Sequence, residues 1–272
     1  MRYVKDWRFL PLNKYSGYEN MAIDEFMVHY YENNRIPVLR LYLWESPTIS
    51  VGKYQDVIKE INIDKCSEED VYIIRRMTGG GAIFHNSELT YSLVCSESDI
   101  KSDKSTVKET YERLNEFLLE MYRLLGLSPN FAKNLKKKNL GLRSPFCFSD
   151  CEEYDIIIKN KKIGGNAQFR KKNIIFQHGS IPFEINTEKI KKYFNCKINK
   201  NNFITLSELL KKEINVNEIE KVFLKAFKKV LKANLKEQNL LSSEKNKIDK
   251  LVLKKYGSDE WNLKGEKIES NS

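Results

Sequence analysis

Long apolar runs are missing from this sequence of 272 residues, and their absence sets the first limits on the protein. Hydrophobic residues make up 41% of the chain and charged residues 31%, and the first 30 residues carry acidic side chains but no long apolar stretch. A membrane-spanning helix needs roughly 20 consecutive apolar residues, and a signal peptide needs a shorter apolar run. We therefore expect a cytoplasmic protein with no membrane association.

Histidine is scarce, and the cysteines follow no regular framework. The chain has three His and five Cys, namely Cys66, Cys95, Cys147, Cys151 and Cys196. An odd number of cysteines in a cytosolic chain predicts reduced thiols. Cys147 and Cys151 are four residues apart, but no second Cys or His pair follows at zinc spacing, so we expect no metal.

Acidic residues are outnumbered by basic ones, which gives a net charge of +10 and an isoelectric point near 9.1. The basic run at residues 133–138 contains no aromatic side chain, and no helix-turn-helix or RNA-binding motif is present, so we expect no nucleic-acid partner. The lysines either solvate helix faces or form a positive surface that speeds encounter with an acidic protein.

Short β-type runs dominate the first two thirds of the sequence, and helical patterns dominate the rest. Strands are predicted at residues 38–44, 48–52, 71–76, 90–94, 154–159 and 174–181. Helices are predicted at residues 18–31, 106–125 (capped by Ser105 and ended by Gly126), from Asn217 (with Glu220 completing a capping box) and at 243–256, ended by Gly257. The last ten residues are predicted to fray. This pattern predicts an α+β fold, with a core at residues 1–185 and a C-terminal helical lobe at 186–272 packed on it.

The first segment with a chemical signature is residues 75–85 (RRMTGGGAIFH), which follows a predicted strand. Three glycines, Gly79, Gly80 and Gly81, let the backbone approach a ligand closely and point N–H groups at an anion or a carbonyl. Arg75 and Arg76 could pair with a phosphate or a carboxylate. The alternative is a turn in a hairpin with solvated arginines, because neither known phosphate-loop glycine spacing is present. We call residues 77–81 the glycine loop.

The second segment is residues 162–170 (KIGGNAQFR), in which Lys162 begins the second strand of a predicted hairpin. Gly164 and Gly165 leave room for a ligand beside Lys162. The alternative is an exposed turn lysine, which is common in a sequence this rich in lysine.

Cys147 lies between Phe146 and Phe148, fifteen positions before Lys162. A neighbouring ammonium group would lower the pKa of the thiol and favour the nucleophilic thiolate. From spacing alone, a buried cysteine that acts as a small hydrophobe is the commoner case. Cys151 is an equally available thiol.

Together these segments resemble the lipoate-protein ligase and octanoyltransferase family, which shares its fold with biotin protein ligases. Besides residues 75–85 and 162–170, the resemblance covers residues 20–25 (NMAIDE), 154–155 (YD), 177–180 (QHGS) and 255–262 (KYGSDEWN). It implies a mixed sheet core with flanking helices and a C-terminal helical segment. One departure is Asn166, which stands where many members have Ser or Thr.

The resemblance also implies a function and a site. The sequence around Cys147 is similar to Gram-positive octanoyltransferases, in which a cysteine takes octanoate from octanoyl-acyl carrier protein and passes it to a lysine of a lipoyl domain, such as the glycine cleavage H protein. Cys147 and Lys162 are then the predicted catalytic residues. The predicted substrate-binding residues are Arg75, Arg76, Gly79, Gly80, Gly81, His85, Gly165, Asn166 and Ala167. No cofactor is expected for this activity.

Three other hypotheses remain open at this point. An ATP-dependent lipoate ligase would use ATP and Mg²⁺ to make an acyl-adenylate and would not need Cys147. An amidotransferase would move octanoate between two lipoyl domains through a cysteine. A non-catalytic protein of the same fold is supported only by the basic composition.

Overall fold

A six-stranded mixed sheet covered by helices on both faces forms the centre of the protein. The structure is a computed structural model that describes residues 4–100, 106–134, 146, 152–196 and 198–266. The strands are β1 (Lys5–Tyr15), β2 (Val38–Trp44), β3 (Thr48–Val51), β4 (Tyr72–Arg75), β5 (Ile83–His85), β6 (Glu88–Cys95), β7 (Asn130–Phe131), β8 (Ile156–Ile158), β9 (Lys161–Lys162), β10 (Gly165–Lys171), β11 (Ile174–Pro182) and β12 (Ala233–Glu237). The helices are α1 (Gly17–Asn34), α2 (Val57–Glu60), α3 (Ile63–Glu68), α4 (Val107–Leu124), α5 (Thr187–Lys191), α6 (Leu206–Leu210), α7 (Val216–Leu231) and α8 (Ser242–Leu251).

The central sheet has the strand order β10-β11-β6-β2-β1-β12. Strand β1 runs parallel to both β2 and β12, whereas β2 and β6, β6 and β11, and β10 and β11 pair antiparallel. Helix α1 connects β1 to β2 and begins at a capping box, in which Ser16 accepts from the N–H of Glu19 and the Glu19 carboxylate accepts from Ser16. The mixed sheet with flanking helices confirms the predicted α+β class.

Alternate residues along the strands enter different cores, because successive side chains of a strand point to opposite faces. Leu39 and Leu41 join the cluster formed with α4 and α7, and Val38 and Tyr42 join the cluster formed with α1 and α8. Between these apolar layers α1 and β2 are joined by a buried ion pair, with Arg40 Nη1 2.9 Å from Asp24 Oδ1. Breaking such a pair leaves an uncompensated buried charge, so it fixes α1 on the sheet.

Two smaller sheets flank the central one. The first has the order β4-β3-β5 and packs on α2, α3 and α5 through a third apolar cluster. The second has the order β7-β8-β9. The glycine loop connects the end of β4 to the start of β5. It lies where the first small sheet meets the central sheet.

Several local predictions need correction. Helix α4 is capped by Thr106, which accepts from the N–H of Glu109, and Ser105 lies outside the described residues. Helix α7 begins two residues earlier than predicted, because Asn215 rather than Asn217 is its cap. Gly126 does end α4, with a φ of +79° that favours glycine.

The C-terminal region also departs from the prediction. Strand β12 joins the central sheet beside β1, so residues 186–272 are not purely helical. Glu260–Lys264 is a helical turn and its Trp261 is buried, whereas most of the ten residues predicted to fray lie outside the described residues. The boundary at residue 185 stays a prediction. Within the described residues, no helix is both long and apolar enough to cross a membrane.

Candidate active site

A small, partly open cavity of about 40 Å³ lies between the central sheet and the glycine loop. Its wall is mostly apolar and comes from α1, β2, β3, β5, β6, β10, β11 and the loop. The lining residues are Met21, Tyr42, Trp44, Ser50, Arg76, Gly80, Ile83, His85, Thr90, Gly165, Asn166, Ala167, His178, Gly179 and Ser180. The mostly apolar wall favours an apolar group over a charged one.

An open cleft of about 730 Å³ adjoins the cavity and is lined by more charged side chains. Gly80, Asn166 and Ala167 line both spaces, so the cavity and the cleft meet at these three residues. One side of the cleft is formed by Val107, Lys108 and Tyr111 at the start of α4, and another side by residues 152–155. A ligand with one apolar end and one polar end would therefore place its middle at this junction.

The glycine loop takes its shape from close backbone contact. A Cβ atom on Gly52 would lie 2.0 Å from the carbonyl oxygen of Gly80, so the two backbones can touch only because residue 52 is glycine. Gly80 has a φ of +91°, which other residues avoid. The close approach seen here is between Gly52 and the loop backbone, and the predicted approach of a ligand to the three loop glycines stays a prediction.

Arg76 holds the glycine loop from within the cavity. Its Nη2 donates to the carbonyl oxygens of Gly79 at 2.9 Å and Gly81 at 2.8 Å, and its Nη1 donates to the carbonyl of Ser50 at 2.7 Å. A planar guanidinium can serve several carbonyls at once. With both loop carbonyls turned toward Arg76, the loop has a fixed backbone orientation at the cavity.

Arg75 requires a correction, because the structure places its side chain away from both the cavity and the cleft. Its guanidinium is buried and donates to backbone carbonyls of two segments, at residues 52–55 and 261–263. The Arg75 N–H donates to Asn262 Oδ1, and Trp261 Nε1 donates to the Arg75 carbonyl. Consecutive residues of an extended chain face opposite ways, so Arg75 ties the fold together while Arg76 faces the site.

His85 lies in the cavity wall with both ring nitrogens engaged. Nε2 is 2.7 Å from the hydroxyl of Ser50, and Nδ1 forms a short contact with the Glu88 carboxylate. The indole of Trp44 stacks on the imidazole at a centroid distance of 3.8 Å. Burial alone would raise the pKa of Glu88, but the charge and hydrogen bond of His85, together with Thr90, hold that pKa below its ordinary value.

A second histidine, which the sequence analysis did not single out as a site residue, reaches the glycine loop. His178 Nε2 is 2.7 Å from the hydroxyl of Thr78, and its Nδ1 is 3.5 Å from Asp24 Oδ2. Burial lowers the pKa of His178 despite the neighbouring Asp24, so the neutral imidazole is favoured. Arg76 Nε also donates to the Thr78 hydroxyl, so this hydroxyl contacts both Arg76 and His178. The only sequence signal for this contact was the QHGS match.

Lys162 lies on a hairpin whose turn differs from the predicted one. The turn residues are Lys159 and Asn160, with φ values of +51° and +61°, so Lys162 is the second residue of β9 rather than the start of its strand. The side chain is buried, and Nζ is 2.8 Å from Asp155 Oδ2. Asp155 lines the cleft, so Lys162 reaches the cleft through this carboxylate.

Cys147 and Cys151 lie outside the described residues, so the predicted nucleophile has no described position. Phe146, which precedes Cys147 in the sequence, is described and forms a parallel bridge with Ala82, directly after the glycine loop. Its ring is buried against Phe194 and Phe203. The remaining predicted residues, other than Arg75, line the cavity or the cleft or contact residues that do.

The mostly apolar cavity and the open cleft thus form one continuous space beside the glycine loop. Two solved structures share the fold: lipoate-protein ligase A bound with ATP, and a bipartite lipoate protein ligase with its E2 lipoyl domain from Thermoplasma acidophilum. The first gives a TM-score of 0.78 at 21% identity, covering 95% of this chain and 98% of that chain. The second gives 0.79 at 20% identity, covering 98% and 100%.

Sequence comparison identifies the family. Residues 16–228 match the lipoyl protein ligase A/B catalytic domain. The chain is 39% identical to octanoyltransferase LipM of Oceanobacillus iheyensis over 69% of this chain and 68% of that protein, and 36% identical to octanoyltransferase LipM of Bacillus subtilis over 69% of each. The chain belongs to the lipoyl protein ligase A/B catalytic domain family and is an acyltransferase.

Proposed function

We propose that this protein moves octanoate from octanoyl-acyl carrier protein to a lysine of a lipoyl domain, such as the glycine cleavage H protein, through a thioester on Cys147. The observation that carries the proposal is the junction at Gly80, Asn166 and Ala167, where the mostly apolar cavity meets the open cleft. An acyl chain in the cavity would present its carbonyl there, within reach of two protein partners in turn. The similarity to octanoyltransferases supports the choice of acyl group.

The reaction has two balanced steps. The Cys147 thiolate attacks the thioester carbonyl, the C=O electrons move to oxygen, and the carbonyl re-forms as the carrier thiolate leaves and takes up a proton. The lysine amine of the lipoyl domain then attacks the Cys147 thioester, loses a proton, and releases the thiolate. The thioester keeps the acyl group activated between the steps, so this proposal requires no ATP or metal.

The electrostatics of the described residues support this chemistry. Lys162 is buried in an ion pair with Asp155 at the cleft, and the proposal puts its ammonium group near Cys147, where it would favour the thiolate. Backbone amides of the glycine loop would stabilise the oxyanion. The net charge of +10 would speed encounter with an acidic carrier protein. A free thiol also requires a reducing compartment, so we place the reaction in the cytoplasm.

One observation favours a second candidate, an ATP-dependent lipoate ligase. Both solved structures described above are of lipoate ligases. A ligase would bind an acyl-adenylate with its acyl chain in the same cavity and its nucleotide in the cleft, using ATP and Mg²⁺.

Intact-mass spectrometry distinguishes the candidates. Incubation with octanoyl-acyl carrier protein, without ATP, should add one octanoyl group to the wild-type protein and to Cys151→Ala, and none to Cys147→Ala. Addition of a lipoyl domain should then move the octanoyl group to that domain. Loading that survives loss of Cys147, or product that forms only from free octanoate and ATP, contradicts the proposal. Loading from an octanoylated lipoyl domain but not from the carrier would instead indicate an amidotransferase.

A further inference from the structure

A chain of buried polar side chains runs from α4 to the junction of cavity and cleft. Asn115 Nδ2 is 2.8 Å from the carbonyl oxygen of Tyr111, and Gln177 Nε2 is 3.2 Å from Asn115 Oδ1. The same Gln177 nitrogen is 2.8 Å from the Tyr91 hydroxyl, which in turn is 2.8 Å from Asn166 Oδ1. Asn115, Gln177 and Tyr91 are 0% exposed, so water does not substitute for these partners.

The direction of each hydrogen bond follows from the first. A backbone carbonyl only accepts, so Asn115 must turn its NH₂ group toward Tyr111 and its oxygen toward Gln177. Gln177 must then present its NH₂ group, and it donates to both Asn115 and Tyr91. The Tyr91 hydroxyl therefore accepts from Gln177 and donates its own hydrogen to Asn166 Oδ1. Burial raises the pKa of Tyr91 far above its ordinary value, so the hydroxyl keeps the proton that it donates.

These hydrogen bonds determine what the Nδ2 group of Asn166 can do. With Oδ1 committed to Tyr91, the Nδ2 hydrogens are the remaining polar group of this amide, and no hydrogen bond from Nδ2 is seen among the described residues. Asn166 lines both the cavity and the cleft. The neighbouring strand leaves room for the side chain, since a Cβ on Gly179 would lie 2.0 Å from Asn166 Oδ1 and 2.6 Å from the Tyr91 ring.

We propose that Asn166 donates a hydrogen bond from Nδ2 to the acyl carbonyl oxygen during transfer, and that Tyr91, Gln177 and Asn115 are positioning residues that hold this donor in place. The inference rests on the proposed acyl transfer and assigns a role within it. The Asn166 side chain is held at the junction by Tyr91 and by the space that Gly179 leaves.

The chemistry of the donor is the same in both steps. When a thiolate or an amine attacks the carbonyl carbon, the C=O electron pair moves to oxygen, and the developing oxyanion accepts the N–H bond more strongly than the ground-state carbonyl does. Collapse of the tetrahedral intermediate restores the C=O bond. A donor of this kind raises the rate at saturating substrate more than it improves substrate binding.

The first test measures octanoyl loading of the protein from octanoyl-acyl carrier protein by rapid-quench intact mass. Asn166→Ala removes the donor, and Asn166→Asp keeps the acceptor for Tyr91 but presents a carboxylate oxygen to the carbonyl. We expect the loading rate at saturating octanoyl-acyl carrier protein to fall about 100-fold for Asn166→Ala and at least as far for Asn166→Asp. The concentration of octanoyl-acyl carrier protein that gives half of this rate should change little. Loading by both variants within about twofold of wild type overturns the inference.

The second test asks whether Tyr91 acts through Asn166. Tyr91→Phe frees Oδ1 and allows the amide to turn, so we expect roughly tenfold slower loading. The double variant Tyr91→Phe, Asn166→Ala should load no more slowly than Asn166→Ala alone, because the group that Tyr91 positions is already gone. Independent, multiplying effects overturn the positioning role.

Tyr122→Phe is the matched control, since Tyr122 is another buried tyrosine of the same core and lines neither the cavity nor the cleft. We expect it to load at the wild-type rate. The wild-type result separates the two proposals. If wild-type protein loads octanoate and the Asn166 variants load equally well, acyl transfer stands and this inference fails. If wild-type protein does not load, both fail.

Discussion

The glycine loop and the C-terminal segment, which we define as residues 255–263, are both held by a buried arginine from the end of β4. Arg76 donates to loop carbonyls at the cavity, and Arg75 donates to carbonyls of Trp261 and Leu263 on the other side of the chain. The two arginines use the same chemistry, but one orders a ligand-facing backbone and the other closes the fold. Of two adjacent arginines, one can therefore organise the site while the other stabilises the fold.

Replacing Arg75 should produce the largest effect and should act on stability. Arg75→Met leaves buried carbonyls at residues 52–55 and 261–263 without their donor, so we expect the free energy of unfolding to fall by about 4 kcal/mol. Urea denaturation followed by circular dichroism measures this change. The fraction that stays folded should still load octanoate at close to the wild-type rate. A loss under about 1 kcal/mol would remove the distinction between the two arginines.

Replacing Arg76 should act mainly on activity. Arg76→Met releases the Gly79 and Gly81 carbonyls, so the loop amides no longer keep one orientation, and we expect octanoyl loading to slow about 100-fold. The expected loss of stability, about 2 kcal/mol, is smaller than for Arg75→Met, because loop carbonyls at the cavity can be hydrated. Equal loading by the Arg75 and Arg76 variants, compared per folded molecule, would contradict the comparison.

Acid should weaken the C-terminal segment through Glu25. Burial would raise the pKa of this carboxyl, but hydrogen bonds from His29, Lys255 and Tyr256 hold the pKa at about 2, below the ordinary 4.5. A depressed pKa gives stability that is present above about pH 4.5 and lost as the pH falls toward 2. We expect a contribution of about 2 kcal/mol, allowing for partial exposure. Glu25→Gln should flatten the urea stability profile in this range, and an unchanged profile would exclude the mechanism.

Mild acid should weaken the support of the glycine loop at a higher pH, through His178. Its folded pKa lies below the ordinary 6.5, so protonation favours the unfolded chain, and stability is full above 6.5 and declines as the pH falls below it. We expect a loss of about 1 kcal/mol between about pH 7 and pH 5.5. His29, whose pKa is raised, titrates in the opposite sense and is common to wild type and His178→Gln. The difference between their unfolding free energies should therefore depend on pH, and a constant difference would show that His178 does not titrate in this way.

The sequence predicted the parts of the site that depend on local backbone chemistry. Three glycines in a row predicted a tight backbone, and Gly80 has the positive φ of +91° that such a loop needs. The predicted segments meet, because Gly80, Asn166 and Ala167 line the same cavity. Helix α4 was predictable because its apolar spacing is a local signal, although its cap is Thr106 rather than Ser105.

What the sequence could not predict depends on contacts between distant residues. Nothing in the Arg75-Arg76 dipeptide tells which side chain faces the cavity, since that depends on how the strand is placed in its sheet. Asp24, Thr78 and His178 meet across 154 positions of the chain, from α1 to β11. Strands β1 and β12 carry charged residues and were missed, because their pairing with neighbours overrides weak intrinsic strand preference.

The pairing of β1 with β12 has a consequence for synthesis of the chain on the ribosome. One edge of β1 can pair with β2 early, but its other edge remains open until residues 233–237 have emerged. Open strand edges invite pairing with other chains, and domains fold in the order of synthesis. Arg75 likewise gains its carbonyl partner at Trp261 only 186 positions later. The nascent enzyme therefore remains incomplete and prone to aggregation until nearly all of the described chain has left the ribosome.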